Sequence, residues 1–200
     1  MSTSKSIGNS FERRVATILS TKLGGNWIRT PSSGAFIGGK NIKRTSVMTQ
    51  EQTRLFASDL IPPEEYSDVY VECKKRAKFN FSSLLGSGSI EFDRWITQIM
   101  SSIGASAAIP VLIFSEKFGK PYIALPYNYL CNKQSDTSEK FDVLNFITCT
   151  LNQSFVLYYW KNPATITFMI TELTDRVLEL FKVVHDKHNS VGIVQNIQNV

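Results

Sequence analysis

The chain is predicted to be an α/β protein, with a mixed central β-sheet flanked by helices and a C-terminal strand and helix extension. Three observations predict this. Apolar residues recur at helical spacing in three segments, Ser6–Lys22, Ile90–Gly104 and Ile170–His188. Between them lie short runs rich in β-branched and aromatic residues, bounded by Pro, Gly, Asn and Ser. The resulting order of helix, strands, helix, strands implies a mixed sheet packed against helices.

Taken in order, the first helix carries Ile7, Phe11, Val15, Ile18, Leu19 and Leu23 on one stripe and ends at Gly24-Gly25. "NWIRT" reads as a short strand and Pro31–Gly39 as a Ser/Gly loop, while Lys40–Gln52 is polar and takes no assignment. "TRLFASDLI" and "SDVYVECKK" read as adjacent strands joined by the turn-prone "PPEEY". "IEFDRWITQIMSSIG" is a helix with Phe92, Trp95, Ile96, Ile99, Met100 and Ile103 on its apolar face. "AAIPVLIFS" and "GKPYIALPY" form a hairpin around Glu116–Gly119. "SFVLYYW" is a further strand, "ITELTDRVLELFKVVHDKH" the last helix, and a polar tail follows from about residue 189. Residues 1–126 are expected to form the core and residues 127–200 an extension packed on the same domain.

Composition narrows the function. At 200 residues the chain can bury a sizeable core, and 42% hydrophobic with 12% aromatic content is globular rather than disordered. No apolar run approaches the roughly 20 residues of a membrane helix, and "MSTSKSIGNSFERR" lacks the apolar core of a secretory signal. A soluble, cytoplasmic location is expected. Cys73, Cys131 and Cys149 have no CxxC spacing, so neither a disulfide framework nor a zinc site is signalled. The histidines, His185 and His188, sit one turn apart on the last helix, where cations near a helix C-terminus are the favoured reading. No GxxxxGK[ST] or GxGxxG loop is present. Carboxylates and lysines are left to carry any catalysis.

A net charge of +5 and a pI near 9.1 suit a polyanionic partner. The cations cluster as Arg29, Lys40, Lys43 and Arg44, and as Lys74, Lys75, Arg76 and Lys78. The second cluster sits on "VECKKRA", where alternation places Glu72 and Lys74 on one face and Val71 and Cys73 on the other. Phosphodiester hydrolysis asks for such a set. Mg²⁺ takes one or two carboxylates plus water and phosphate oxygens, and a nearby lysine neutralises the phosphate. Asp59, Glu72 and the Cys73 backbone carbonyl are the candidate ligands for Mg²⁺, with Mn²⁺ as a substitute, and Lys74 is the candidate cation. Asp68 is excluded as a ligand because it lies about 13 Å from Glu72 along the strand. Read alone, a D…ExK pattern is common by chance, and a solvated surface pair has the same appearance.

"ERR", "RTPSSGA", "SDL", "VECKKR" and "WITQI" follow one another in order, and together they resemble the PD-(D/E)XK nuclease superfamily. More narrowly, residues Ile7–Leu125 resemble archaeal and phage Holliday-junction resolvases. That resemblance implies a restriction-endonuclease-like core in which Asp59, Glu72 and Lys74 form the catalytic centre and Glu12 completes its acidic side. It further implies that Ser33 contacts phosphate or supports the site, that Gln98 stands beside the catalytic strand, and that Ser32 and Arg29 contact DNA. Lys40, Lys43, Arg44, Lys75, Arg76 and Lys78 are expected to contact phosphate. Ser58 replaces the proline of the motif, the segment between Gly34 and Asp59 is long, and some 75 residues follow the recognisable core. The implied partner is DNA, as four-way junctions or other branched forms, cut by a homodimer with two sites. A repair or restriction-type enzyme acting on linear or flap DNA, and a DNA-binding protein without catalysis, are the alternatives.

Overall fold

The computed structural model describes residues 4–31, 43–44, 46–85, 88–104, 108–130, 154–161 and 165–197. Helix α1 (Ser4–Leu23) precedes strand β1 (Ile28–Arg29), helix α2 (Gln50–Ala57) and strand β2 (Leu60–Ile61). Strand β3 (Val69–Arg76), helix α3 (Ile90–Ile103), and strands β4 (Ile109–Glu116) and β5 (Pro121–Pro126) come next. A single-turn helix α4 (Tyr127–Leu130), strands β6 (Phe155–Lys161) and β7 (Thr165–Glu172), and helix α5 (Asp175–Ile197) complete the order. Among the described residues these strands form one mixed sheet in the order β1-β2-β3-β4-β5-β7-β6. β3 and β4 are parallel, in register from Val69 with Ile109 to Arg76 with Glu116, and the remaining pairs are antiparallel.

The parallel pair is buried on both faces, as a crossover through a helix requires. Val69, Val71 and Cys73 of β3 enter one core with Phe11, Val15 and Leu19 of α1 and with Val177, Leu178 and Phe181 of α5. Tyr70 enters a second core with Leu112, Phe114, Phe168 and the α3 residues Phe92, Trp95, Ile96 and Ile99. The period-two alternation of β3 therefore sorts its residues between two helical layers. Glu72 and Lys74 fall on the α3 side.

The N-terminus of α3 is capped by Ser89, whose side chain accepts a hydrogen bond from the Phe92 amide, and Glu91 and Asp93 complement the dipole in its first turn. Its C-terminus stops at Gly104, where φ is +60°. The β4–β5 hairpin closes with the Gly119 amide donating to the Glu116 carbonyl at 3.2 Å, at the predicted turn.

Two element assignments change. "TRLFASDLI" is a helix up to Ala57, and only Leu60–Ile61 pair as a strand. The reason is a capping box, in which the Gln52 amide donates to Thr49 Oγ1 (3.2 Å) and the Thr49 amide to Gln52 Oε1 (3.0 Å). The last helix starts at Asp175, not Ile170, because Thr165–Glu172 pairs with both β5 and β6. The helix also runs on to Ile197, past the expected start of the polar tail.

Phe92 is fully buried, with its ring against Trp95, Phe114 and Tyr158. Phe92→Ala is expected to cost about 3–5 kcal/mol in chemical denaturation. Phe118→Ala, at a residue 93% exposed, should change stability by less than about 0.5 kcal/mol.

Candidate functional site

Glu72 stands in mid-β3 and is only 2% exposed. A buried carboxylate must be compensated by charge or hydrogen bonds, and two neighbours supply this. Lys74 Nζ, two residues along the same face, donates to Glu72 Oε1 at 2.5 Å. Gln98 Nε2, reaching down from α3, donates to the same oxygen at 2.7 Å, while Gln98 Oε1 accepts from Lys74 at 3.0 Å. The Tyr70 hydroxyl lies 3.4 Å from Glu72 Oε2 and donates to the Ala57 carbonyl at 3.0 Å. The helix and the strand thus meet in a closed Glu72–Lys74–Gln98 triangle.

Asp59 approaches from the neighbouring chain segment. Leu60 is in register with Val71, and Asp59 just before it lies close enough to Glu72 for its charge to act on that carboxyl. Its backbone is held on two sides, with the amide donating to Val71 O at 3.0 Å and the carbonyl accepting from Thr30 N at 2.9 Å. Its Oδ2 accepts the Cys73 amide at 2.8 Å. Ser58, standing where the family motif has proline, is 2% exposed. Its hydroxyl lies 2.8 and 3.0 Å from the Leu60 and Val71 carbonyls and accepts the Val71 amide at 3.2 Å. In the sequence Ser58 is only a departure from the motif. It is part of the clamp that seats Asp59 against β3.

Glu12, on α1, accepts Arg29 Nε at 2.6 Å, and Arg29 also donates to Asn9 Oδ1 at 2.9 Å. Arg29 is therefore engaged in orienting Glu12. Burial raises the Glu12 carboxyl above its ordinary range, the Asp59 charge raises it further, and Arg29 pulls it back. Burial, then the Asp59 charge, push Glu72 up to about 7 against the pull of Lys74. Asp59 is the common element, so the three carboxylates form one electrostatically coupled group. Cys73 points into the opposite core, and burial pushes its thiol well up, leaving it a small apolar residue.

The cations divide between the two faces. Lys75 lies on the α1 side with its ammonium 5.0 Å from the Phe11 ring centroid, and burial, then Arg14, lower its pKa. Arg76 lies on the α3 side, pairs with Glu91 at 2.5 Å and stacks over Trp95. Lys43, Arg44 and Lys78 are exposed. Ser32, Ser33 and Lys40 lie outside the described residues.

His185 requires a correction. It sits well before the end of α5, is 1% exposed, and its Nε2 lies 2.9 Å from Asp68 Oδ1. Its ring packs on Tyr66 at a centroid distance of 4.5 Å. It is a buried residue in the middle of the helix rather than one at its C-terminus, and Asp68 lies within hydrogen-bond distance of it. The apolar period of α5 placed it on the buried stripe, a signal available in the sequence.

A model of the family described as "Phage putative PDDEXK endonuclease" matches residues 3–184. The chain belongs to this family. The match supports a nuclease acting on DNA, in a superfamily that generally uses divalent metals. No curated protein and no solved structure matches the chain. No helix of the described residues is long and apolar enough to cross a membrane.

A divalent ion fits the donors present. Among the described residues no three His, Cys, Asp or Glu side chains are assembled to hold an ion by themselves. Mg²⁺ does not need three, since it keeps waters and borrows phosphate oxygens. Asp59 and Glu72 are hard oxygen donors whose mutual repulsion a cation relieves.

The raised Glu72 carboxyl predicts a pH dependence. A carboxyl whose folded pKa of about 7 exceeds its ordinary 4.5 stabilises the fold fully below about pH 4.5 and loses that contribution as pH rises through 7. In chelator, Glu72→Gln should therefore gain stability relative to wild type between about pH 5 and pH 8, by on the order of 3 kcal/mol. Urea unfolding across this range checks the trend, and a pH-independent difference would contradict it.

Proposed function

We propose that this protein is a Mg²⁺-dependent endodeoxyribonuclease (Mn²⁺ substituting) selective for branched DNA, a Holliday-junction resolvase acting as a homodimer. The observation that carries the catalytic part is the Glu72–Lys74–Gln98 triangle with Asp59 held against β3 beside it. Asp59, Glu72 and the Cys73 carbonyl would hold the metal, with Glu12 on its acidic flank. When bound, the ion supplies a polarised water and Lewis-acid stabilisation of the charge that develops on phosphate.

The chain's own residues do the rest. Lys74 carries its ammonium at the edge of the acid pair, where it neutralises the phosphate in the transition state. Gln98 fixes both Glu72 and Lys74, so neither spends orientational freedom during the reaction. Arg29 orients Glu12. Ser33, Ser32, Lys40, Lys43, Arg44, Lys75, Arg76 and Lys78 would add support and phosphate contacts, with Lys75 restricted to a strand crossing the α1 side.

The junction preference rests on the resemblance across Ile7–Leu125, and the dimer on the two symmetric cuts a junction requires. Cleavage of a labelled four-way junction and a matched linear duplex, with Mg²⁺ and with chelator, tests the reading. Wild type should nick the junction symmetrically only with metal. Glu72→Gln and Asp59→Asn should bind but not cut, and Lys74→Met should lose about 10²–10³-fold in kcat. Equal cutting of both substrates would remove the junction selectivity and leave a nuclease. Binding of both without cutting would overturn the enzyme assignment.

A further inference from the structure

Beside the acid pair lies a cleft of about 480 Å³ lined by Lys74, Arg76, Ile90, Glu91, Arg94, Trp95 and Gln98. Its walls are the α3-facing side of β3 and the exposed face of α3. Two contacts fix how these run past one another. Gln98 meets Glu72 and Lys74 at one end, and Glu91 meets Arg76 at the other. The helix therefore descends along the strand in the opposite direction, and the cleft leads away from Glu72 toward Arg76.

Arg94 sits midway. Ile90, Arg94 and Gln98 are spaced by four and share one face of α3, so Arg94 stands about 6 Å from Gln98 along the axis. That is within two nucleotide steps, at about 3.4 Å of rise per nucleotide on one DNA strand. The Arg94 side chain is exposed and makes no ion pair or hydrogen bond with another described residue. The lining carries three cations, Lys74, Arg76 and Arg94, against one carboxylate, Glu91. Trp95 is 4% exposed and serves as the floor under Arg76 rather than as a stacking platform for a base. A larger cleft of about 640 Å³ beyond α3 includes neither Lys74 nor Gln98 and carries Lys161 against Asp93, so it has no comparable charge.

We infer that this cleft is the track for the phosphate backbone of the cut strand, and that Arg94 binds a phosphate one or two nucleotides from the scissile one. Glu91 is its counterweight. It holds Arg76 along the cleft wall until a phosphate displaces it. The inference rests on the reading of the chain as a DNA nuclease and adds to it a substrate-binding residue and a direction for the strand.

The test is fluorescence anisotropy of the full chain with a labelled four-way junction and a labelled linear duplex, in chelator, across a salt series. Arg94→Ala should flatten the slope of log affinity against log salt on the duplex by about 0.9, the value for one lost phosphate contact on B-form DNA, and should flatten it on the junction as well. Arg94→Lys should restore the slope. Arg176→Ala, an exposed arginine on α5 across the sheet, should leave it unchanged. Glu91→Gln should tighten binding several-fold. With metal present, Arg94→Ala should raise KM and spare kcat, unlike Glu72→Gln. If wild type binds and cuts DNA but the Arg94→Ala slope is unaltered, this inference is overturned and the nuclease stands. If wild type neither binds nor cuts, both fall.

Discussion

Keeping a carboxylate inside β3 is the constraint around which this end of the molecule is organised. Glu72 lies in a strand covered on both faces, and an uncompensated charge there would cost several kcal/mol. The compensation comes from one residue on the same strand face and one on the crossover helix. Lys74 is available only because side chains alternate along the strand, and Gln98 only because α3 returns over that same face. The compensation is incomplete, since burial and Asp59 still raise the Glu72 carboxyl. A site left short of positive charge is one that can accept a cation from solution.

The sheet separates chemistry from scaffold. On the α1 and α5 side, β3 presents Val69, Val71 and Cys73 to an apolar core, with Lys75 emerging beyond it. On the α3 side, Tyr70 anchors the core while Glu72, Lys74 and Arg76 progress outward along a polar cleft. Asp59 joins through backbone bonds to Thr30 and Val71 and through the Ser58 hydroxyl. A proline at position 58 would remove that hydroxyl, so in this chain the seat of Asp59 is made by side-chain hydrogen bonding rather than by a rigid ring.

Much of this was legible in the residues. The apolar stripes of α1 and α3, the β4–β5 hairpin and the two faces of β3 follow from period and turn chemistry, which are local properties. The misread elements have local explanations too. Thr49 and Gln52 form a capping box that opens a helix of only eight residues, a signal easily lost beside the β-prone "RLF". Phe168, Met169 and Ile170 of β7 enter both cores in turn, so this stretch shows no polar alternation and merges with the apolar period of α5. His185 lies close to the end of the helix expected from the sequence, which suggests a C-terminal cation, whereas its place on the buried stripe decides its environment.

By itself the sequence determined the α/β class, the family, and which side chains of β3 share a face, because each depends on spacing along one strand, one helix or one ordered string of motifs. Tertiary structure alone decided what those side chains meet: that Gln98 closes on Glu72, that Arg29 is bound to Glu12, and that Ser58 clamps Asp59. These contacts join residues up to 26 positions apart. Their existence depends on strand register and on the packing of a helix over a sheet, which no local pattern encodes.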